Sequence, residues 1–209
     1  MLRVRRSLAA VVFDVGETLV DESRVWRKEA RRAGVSELTL FAALGTLIER
    51  GVDHGLWDFL GVAPPQEPVG IEPGDLYPDA LPCLRAVHDL GLRVGIAGNQ
   101  PLRTEAMLRS LDVPLDLVAS STRWGVEKPA PEFFARISAE LAVPPDQVAY
   151  VGDRLDNDIL PAAEAGMVTV LIRRGPWGRL HARRPDAAVA DALIDGLEEL
   201  PAVLRRMSP

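Results

Sequence analysis

Leu8-Ala-Ala-Val-Val-Phe13 is a continuous apolar run, and Asp14 follows it directly. A short run that is apolar at every position is typical of a strand buried on both faces, as in parallel sheets covered by helices. Four further stretches have this character, at residues 93–97, 117–119, 148–151 and 169–172. The sequence therefore predicts a buried parallel sheet whose first strand ends at a carboxylate.

Helical stretches separate these predicted strands. Residues 101–111 and 131–141 open with proline, which the first turn of a helix accepts, and 158–165 ends before a glycine, a suitable C-terminal cap. Residues 191–207 are interpreted as a closing amphipathic helix, with one proline as a potential break. Strands that alternate with helices predict an α/β fold with a doubly wound, Rossmann-like parallel sheet.

The alternation is interrupted after the first strand. Helices are predicted there at 22–33, 37–50 and 52–60, and a proline-rich link with the composition of a hinge follows at 63–74. We therefore expect residues 22–74 to form a small helical cap. It is inserted into a core domain that comprises residues 1–21 and 75–209.

The composition limits the classes of function. The chain has 209 residues and a net charge of −6, which disfavours nucleic acid as a partner. No apolar run approaches the length of a membrane span, and the one after the basic start is too short for a signal peptide. The single cysteine, Cys83, excludes an internal disulfide and fits a buried thiol in a reducing cytoplasm. We expect a soluble cytoplasmic protein, whose oligomeric state the sequence does not set.

Two groups of basic residues have no assigned chemistry. The histidines lack metal-ligand spacing and are expected at the surface or in the cap; they are His54, His88 and His181. Five arginines lie close together at positions 173, 174, 179, 183 and 184. We interpret them as a solvated loop, with contact to an anion or a second subunit as the alternative.

Four polar features follow predicted strands at their carboxyl ends, where α/β sheets usually bind ligands. They are Asp14, Gly98-Asn99, Glu127-Lys128-Pro129, and the segment from Gly152-Asp153 to Asp158. A buried carboxylate needs a compensating charge and can attack a phosphoryl group, while crowded carboxylates suit Mg²⁺. Taken singly, each feature has a simpler explanation: a turn aspartate, a strand-to-helix turn, a solvated lysine, or an acidic loop without a metal.

The order and spacing of these features resemble the four motifs of the haloacid dehalogenase superfamily. The most specific segments are Val151-Gly-Asp-Arg-Leu-Asp-Asn-Asp-Ile159 and Glu127-Lys-Pro-Ala-Pro-Glu-Phe-Phe134. The resemblance covers nearly the whole chain, because the insertion also falls where that family places its first-type cap. It implies a Mg²⁺-dependent hydrolase, most often a phosphatase that forms an aspartyl-phosphate while acting on a small phosphorylated metabolite.

The resemblance also implies individual roles. Asp14 is the expected nucleophile, and Lys128 the expected catalytic cation that stabilises the charge of the transition state. The expected metal ligands are Asp14, the carbonyl group of Gly16, Asp153, and Asp158, which holds a metal-bound water or the Lys128 ammonium. The expected phosphate-binding residues are Thr18, Gly98, Asn99 and Lys128, with Thr18 bracing the loop.

Two positions depart from the family pattern. Gly16 stands where the family's phosphatases usually carry a second aspartate, which protonates the leaving group and then activates water. Gly98 stands where they usually carry serine or threonine. Candidate substitute acids are Glu17, Asp21 and Glu22. General acid–base help is worth roughly 10²–10⁴-fold in rate, so without it only phosphates with good leaving groups should react.

Two alternatives to a phosphatase stay open at this point. One is a site that binds a phosphorylated ligand or a partner with little catalysis. The other is a carbon-bond hydrolase such as a dehalogenase, whose family members also lack the second aspartate. The intact acidic motif around Asp153 argues against the second alternative, because dehalogenation needs no metal.

Overall fold

A computed structural model describes residues 7–52 and 54–207, so parts of the predicted domain ranges, at 1–6, 53 and 208–209, lie outside the described residues. Within the described residues, six parallel strands form one sheet in the order β3-β2-β1-β4-β5-β6. The strands are β1 (Ala10–Phe13), β2 (Arg93–Gly98), β3 (Leu117–Ser120), β4 (Val148–Gly152), β5 (Val168–Ile172) and β6 (Ala192–Ile194). This sheet confirms the predicted doubly wound α/β fold.

Helices cover both faces of the sheet. The helices of the described residues are α1 (Ser23–Arg32), α2 (Glu37–Glu49), α3 (Leu56–Leu60), α4 (Ala80–Asp89), α5 (Leu102–Arg109), α6 (Ser121–Trp124), α7 (Pro131–Leu141), α8 (Leu160–Glu164), α9 (Gly175–His181) and α10 (Leu200–Met207). The strand period of two divides β1 between two cores. Val11 and Phe13 belong to the cluster that includes side chains of α4 and α10, whereas Ala10 and Val12 belong to the cluster that includes α7.

The strand register brings the predicted motifs to one edge. Phe13 is aligned with Ile96 on β2 and with Val151 on β4. The chain therefore leaves these three central strands at nearly the same height. Because the strands are parallel, the residues that follow them converge at the carboxyl edge of the sheet.

Helices α1 to α3 lie between β1 and β2 in the chain and have a hydrophobic cluster of their own. Leu40, Leu44 and Leu47 are buried in it, and Trp177 and Leu180 of α9 pack against it. The proline-rich link that follows is fastened by side chains: Glu29 accepts a hydrogen bond from the Val69 N–H at 2.5 Å. Arg24 donates to the Gly70 carbonyl at 2.7 Å.

Two predicted helices are shorter than expected. The predicted closing helix at 191–207 is wrong in its first part, because Ala192–Ile194 pairs in parallel with β5 as an edge strand. A three-residue apolar stretch does not distinguish strand from helix by its periodicity. Helix α10 begins only at Leu200, so Pro201 sits in its first turn, where proline is tolerated. The helix predicted at 52–60 begins at Leu56, after Gly55 with φ +77°.

Other expectations have mixed outcomes. Cys83 is buried, as predicted. His181 was expected at the surface or in the cap, which is wrong: it is 2% exposed on α9, and its Nδ1 accepts a hydrogen bond from the Leu155 N–H at 3.0 Å. Among the clustered arginines, Arg174 is half-buried and ion-paired with Asp79. In the ranges 7–52 and 54–207, no helix combines the length and apolar character that crossing a bilayer requires.

Candidate functional site

Asp14 lies at the floor of a cavity of about 280 Å³ at the carboxyl edge of the sheet. Its backbone N–H donates to the Val151 carbonyl at 2.9 Å, which extends the strand pairing by one residue. The cavity is lined by Asp14, Gly16, Glu17, Glu22, Trp26, Asn99, Gln100, Lys128, Asp153, Arg154, Asn157 and Trp177. Most of the predicted site residues therefore meet in one place.

Lys128 joins two carboxylates at the base of this cavity. Its ammonium is 2.5 Å from Asp14 Oδ1 and 2.5 Å from Asp158 Oδ1, and the residue is 3% exposed. Burial alone would lower the pKa of Lys128, but the carboxylates of Asp14 and Asp158 raise it well above its usual value. Lys128 is therefore a permanent cation beside the predicted nucleophile.

Asn99 holds the backbone of Lys128. Its Oδ1 accepts from the Lys128 N–H at 2.8 Å, and its Nδ2 donates to the Lys128 carbonyl at 3.0 Å. This reciprocal pair uses both ends of the amide. The Asn99 side chain thus orients the lysine.

Three carboxylates surround the point where a cation would bind. Oxygens of Asp14, Asp153 and Asp158 all lie within 4.8 Å of one another. Among the described residues, Asp153 Oδ2 is buried without a hydrogen-bond partner. Burial and the neighbouring carboxylates raise the pKa of Asp153 well above its usual value. An unpartnered oxygen and repelling acidic groups fit a hard divalent cation such as Mg²⁺.

Asp158 is positioned by its own loop. The Arg154 N–H donates to its Oδ2 at 2.9 Å. A Cβ atom on Gly152 would lie 2.5 Å from the Asp158 carboxyl carbon, so glycine is required for the loop to close in this way. Burial and Asp14 raise the pKa of Asp158, Lys128 opposes them, and the pKa is about 6.

Gly98 has a steric role next to the nucleophile. A Cβ atom at this position would lie 2.6 Å from Asp14 Oδ1 and 3.3 Å from Val15 Cγ2. Because Lys128 holds the same Asp14 oxygen, the carboxylate is not free to move aside. The departure from serine or threonine at position 98 is therefore coupled to the position of Asp14.

Glu22 fills the space in front of Gly16. A Cβ atom on Gly16 would lie 2.8 Å from Glu22 Oε1 and 2.9 Å from its carboxyl carbon. Glu22 precedes α1 and is half-buried, with its side chain lining the cavity. Burial of the carboxyl group, together with the charges of Glu17 and Asp14, raises the pKa of Glu22 to about 7. From the sequence alone, Glu22 is one of three candidate acids, together with Glu17 and Asp21.

The other two candidate acids are engaged elsewhere. Glu17, at φ +50°, accepts from Tyr77 Oη–H at 2.7 Å through Oε2 and from the Glu22 N–H at 3.0 Å through Oε1. Asp21 accepts from the Ser23 N–H at 2.8 Å and is absent from the cavity lining. The carboxylates of Glu17 and Asp21 thus support the backbone at the start of α1.

Thr18 is fully buried and does not line the cavity. Its carbonyl accepts a hydrogen bond from Arg174 Nη1 at 3.1 Å, and Arg174 also pairs with Asp79. The expected bracing of this loop thus runs through the backbone of Thr18.

Two tryptophans that line the cavity were not predicted from the sequence. Trp26 of α1 and Trp177 of α9 have ring centroids 6.4 Å apart, and Arg154 lies over the Trp177 ring at 5.2 Å. Arg154 directly follows Asp153 in the acidic motif, so its place in the site could have been predicted from the sequence. The tryptophans carry no sequence signal for the site, because the packing of α1 to α3 on α9 brings them there.

Comparison with known proteins places this geometry in a family. A haloacid dehalogenase-like hydrolase family model matches residues 8–166. A glyceraldehyde 3-phosphate phosphatase of Methanopyrus kandleri is 32% identical, and the match covers 96% of this chain and 99% of that protein.

Solved structures share the fold. A phosphatase of this superfamily from Thermococcus onnurineus superposes with a TM-score of 0.61 at 24% identity, covering 94% of this chain and 98% of the other. A dehalogenase with an intermediate complex gives a TM-score of 0.67 at 23% identity, covering 95% and 97%. These likenesses establish the architecture, and the family model and the archaeal relative establish the family. This chain belongs to the haloacid dehalogenase-like hydrolases.

Proposed function

We propose that this hydrolase is a Mg²⁺-dependent phosphatase that acts on a small phosphorylated metabolite through a phosphoryl group carried on Asp14. The observation that carries the proposal is the pairing of Asp14 Oδ1 with Lys128 at 2.5 Å beside the unpartnered oxygen of Asp153. A buried carboxylate next to a fixed cation is suited to attack phosphorus. The phosphatase activity of the archaeal relative agrees with this chemistry.

In this proposal the residues of the cavity share the work of phosphoryl transfer. Asp14 attacks the phosphoryl group, and the Lys128 ammonium offsets the charge that collects on the transferring oxygens. Asn99 keeps Lys128 in place through its backbone, and backbone groups at 98–99 contact the phosphate. Residues 22–74 act as the cap that covers the cavity, with the two tryptophans restricting entry of water.

The metal would be held by carboxylates of Asp14 and Asp153 and by the Gly16 carbonyl, with Asp158 behind them. Bound Mg²⁺ would supply Lewis-acid stabilisation to the phosphoryl group and offset the repulsion among the carboxylates. Dehalogenation needs no metal, so a dehalogenase would not depend on a cation bound at these carboxylates. Metal response therefore separates the two activities.

The test is a panel of phosphorylated metabolites assayed with and without MgCl₂, alongside 2-haloacids. We expect Mg²⁺-dependent release of inorganic phosphate by the native protein and none by Asp14→Asn of unchanged circular dichroism. Metal-independent release of halide with no release of phosphate would establish the carbon-bond hydrolase instead. Binding of phosphorylated ligands without turnover would establish the binding protein.

A further inference from the structure

A second, larger cavity opens from the site. It has a volume of about 660 Å³ and shares Glu22, Asn99 and Gln100 with the cavity around Asp14. Its apolar lining comes from Val25, Pro68, Val69, Ile71 and Pro101, and its polar lining includes Arg103, Thr104, Ser121, Thr122 and Glu127. If the phosphoryl group lies against Asp14, this second cavity has room for the organic part of the substrate. The leaving oxygen then sits at the junction of the two.

Of the three residues at this junction, only Glu22 has a side chain with an ionisable group that can donate and accept a proton. The Asn99 amide is used at both ends by the Lys128 backbone, and the Gln100 amide does not ionise. The Glu22 carboxyl is 2.8 Å from where a Cβ on Gly16 would be. It therefore occupies the space into which a side chain at position 16 would extend.

We propose that Glu22 is the general acid–base of this enzyme. The proposal rests on the phosphatase function above and adds a catalytic residue to it. In the first step Asp14 forms a bond to phosphorus, the bond from phosphorus to the leaving oxygen breaks, and the Glu22 proton passes to that oxygen. In the second step Glu22 takes a proton from water as the water oxygen bonds to phosphorus. The bond to Asp14 then breaks, and inorganic phosphate is released.

The start of α1 is built to hold Glu22 at this point. Glu17 Oε1 accepts the Glu22 backbone N–H at 3.0 Å, while its Oε2 is fixed by Tyr77. Asp21 Oδ1 accepts a hydrogen bond from the N–H of Ser23, the first residue of α1. Glu17 is thus a positioning residue, and each of its carboxylate oxygens already accepts a hydrogen bond.

The rate enhancement from the Glu22 proton depends on the leaving group. Comparing substrates with different leaving groups therefore tests the proposal. In Glu22→Gln we expect hydrolysis of alkyl phosphates to fall by roughly 10²–10⁴-fold. Acyl phosphates and nitrophenyl phosphate should lose far less in the first step, because their leaving oxygens are stable as anions. Burst-phase kinetics measure the first step, in which the leaving group departs, separately from the later release of inorganic phosphate. Glu49→Gln is the matched control, because Glu49 is an exposed residue of α2 that lines neither cavity, and this variant should react like the native protein with every substrate.

Position 16 offers a second variant that does not depend on how well a glutamine packs in place of Glu22. A side chain at position 16 would collide with Glu22, so Gly16→Asp is placed in the Glu22→Ala background. The φ of Gly16 is not among the positive values, so the backbone accepts a side chain there. We expect the double variant to recover alkyl phosphatase activity by at least about tenfold over Glu22→Ala.

The outcomes separate the two proposals. Equal losses in the first-step rate for alkyl and aryl phosphates in Glu22→Gln, or no loss for either, would overturn the role of Glu22 while leaving an Asp14-dependent phosphatase intact. Activity that survives Asp14→Asn, or no hydrolysis of any phosphate by the native protein, would overturn both.

Discussion

Replacing Asp153 by asparagine should stabilise the metal-free protein while removing its response to Mg²⁺. Without a cation, Asp153 Oδ2 is a buried oxygen with no partner among the described residues, and its carboxylate faces those of Asp14 and Asp158. Asparagine keeps the shape, removes the charge and adds an N–H donor that can reach a neighbouring carboxylate. The native residue therefore lowers folding stability in return for metal binding.

The size of the effect follows from that unpartnered oxygen. Leaving a buried polar group unsatisfied costs about 1–3 kcal/mol, and in a chain of this length 1 kcal/mol shifts the melting temperature by about 2–4 °C. We expect Asp153→Asn to melt roughly 2–12 °C higher than the native protein in EDTA at pH 8. Because the pKa of Asp153 is raised in the folded state, its carboxyl becomes neutral as the pH falls. The gain should therefore disappear towards pH 4.

The assay is calorimetric melting in EDTA and in excess MgCl₂. Mg²⁺ at about 100 times its dissociation constant should stabilise the native protein by about 2.7 kcal/mol and leave Asp153→Asn unchanged. Asp156→Asn is the control, since Asp156 lies in the same loop but pairs with Arg154 at 2.8 Å on the surface. It should lose at most about 1 kcal/mol and keep the metal response. A lower melting temperature for Asp153→Asn in EDTA, or an equal Mg²⁺ shift, would refute the reasoning.

Three further predictions concern the same site. Lys128→Met should destabilise the protein by about 3–5 kcal/mol in urea unfolding, because Asp14 and Asp158 lose their buried counterion; a smaller loss would mean that the pair is solvated. Gly98→Ser should lower kcat by roughly 100-fold by displacing the nucleophile, and restored or improved turnover would contradict the steric role. In EDTA, the contribution of Glu22 to stability should be complete below pH 4.5 and lost as the pH rises through about 7, up to about 3 kcal/mol. Glu22→Gln should flatten the dependence of folding stability on pH between 4.5 and about 7. An unchanged dependence would exclude a raised pKa for Glu22.

The strand-end residues could be predicted from sequence because their geometry follows from the sheet. Parallel strands end at one edge, so residues that follow them in the chain meet there even when they are far apart in sequence, as Asp14 and Lys128 are. The pairing of Lys128 with both Asp14 and Asp158 is consistent with the charge balance that the motifs imply. The buried sheet itself was predicted from the short apolar runs that alternate with helical stretches.

The rest depends on packing that no local pattern encodes. From the sequence, Glu22 is one of three candidate acids. In the structure its carboxyl lies against Gly16, and both carboxylate oxygens of Glu17 accept other hydrogen bonds. Trp177 enters the site because α9 packs against the helices between β1 and β2. The edge strand β6 was missed because its pairing with β5, rather than its own three residues, defines it.

The central claim is that Asp14 carries the phosphoryl group, and its most direct measurement is acid quenching during turnover followed by peptide mass mapping. With a good phosphate substrate and Mg²⁺, the account predicts that the peptide containing Asp14 gains the mass of one phosphoryl group. The gain should be absent in Asp14→Asn and should vanish when substrate is exhausted. Continued release of phosphate with no modified Asp14 peptide at any quench time, or a stable modification on another residue, would contradict it.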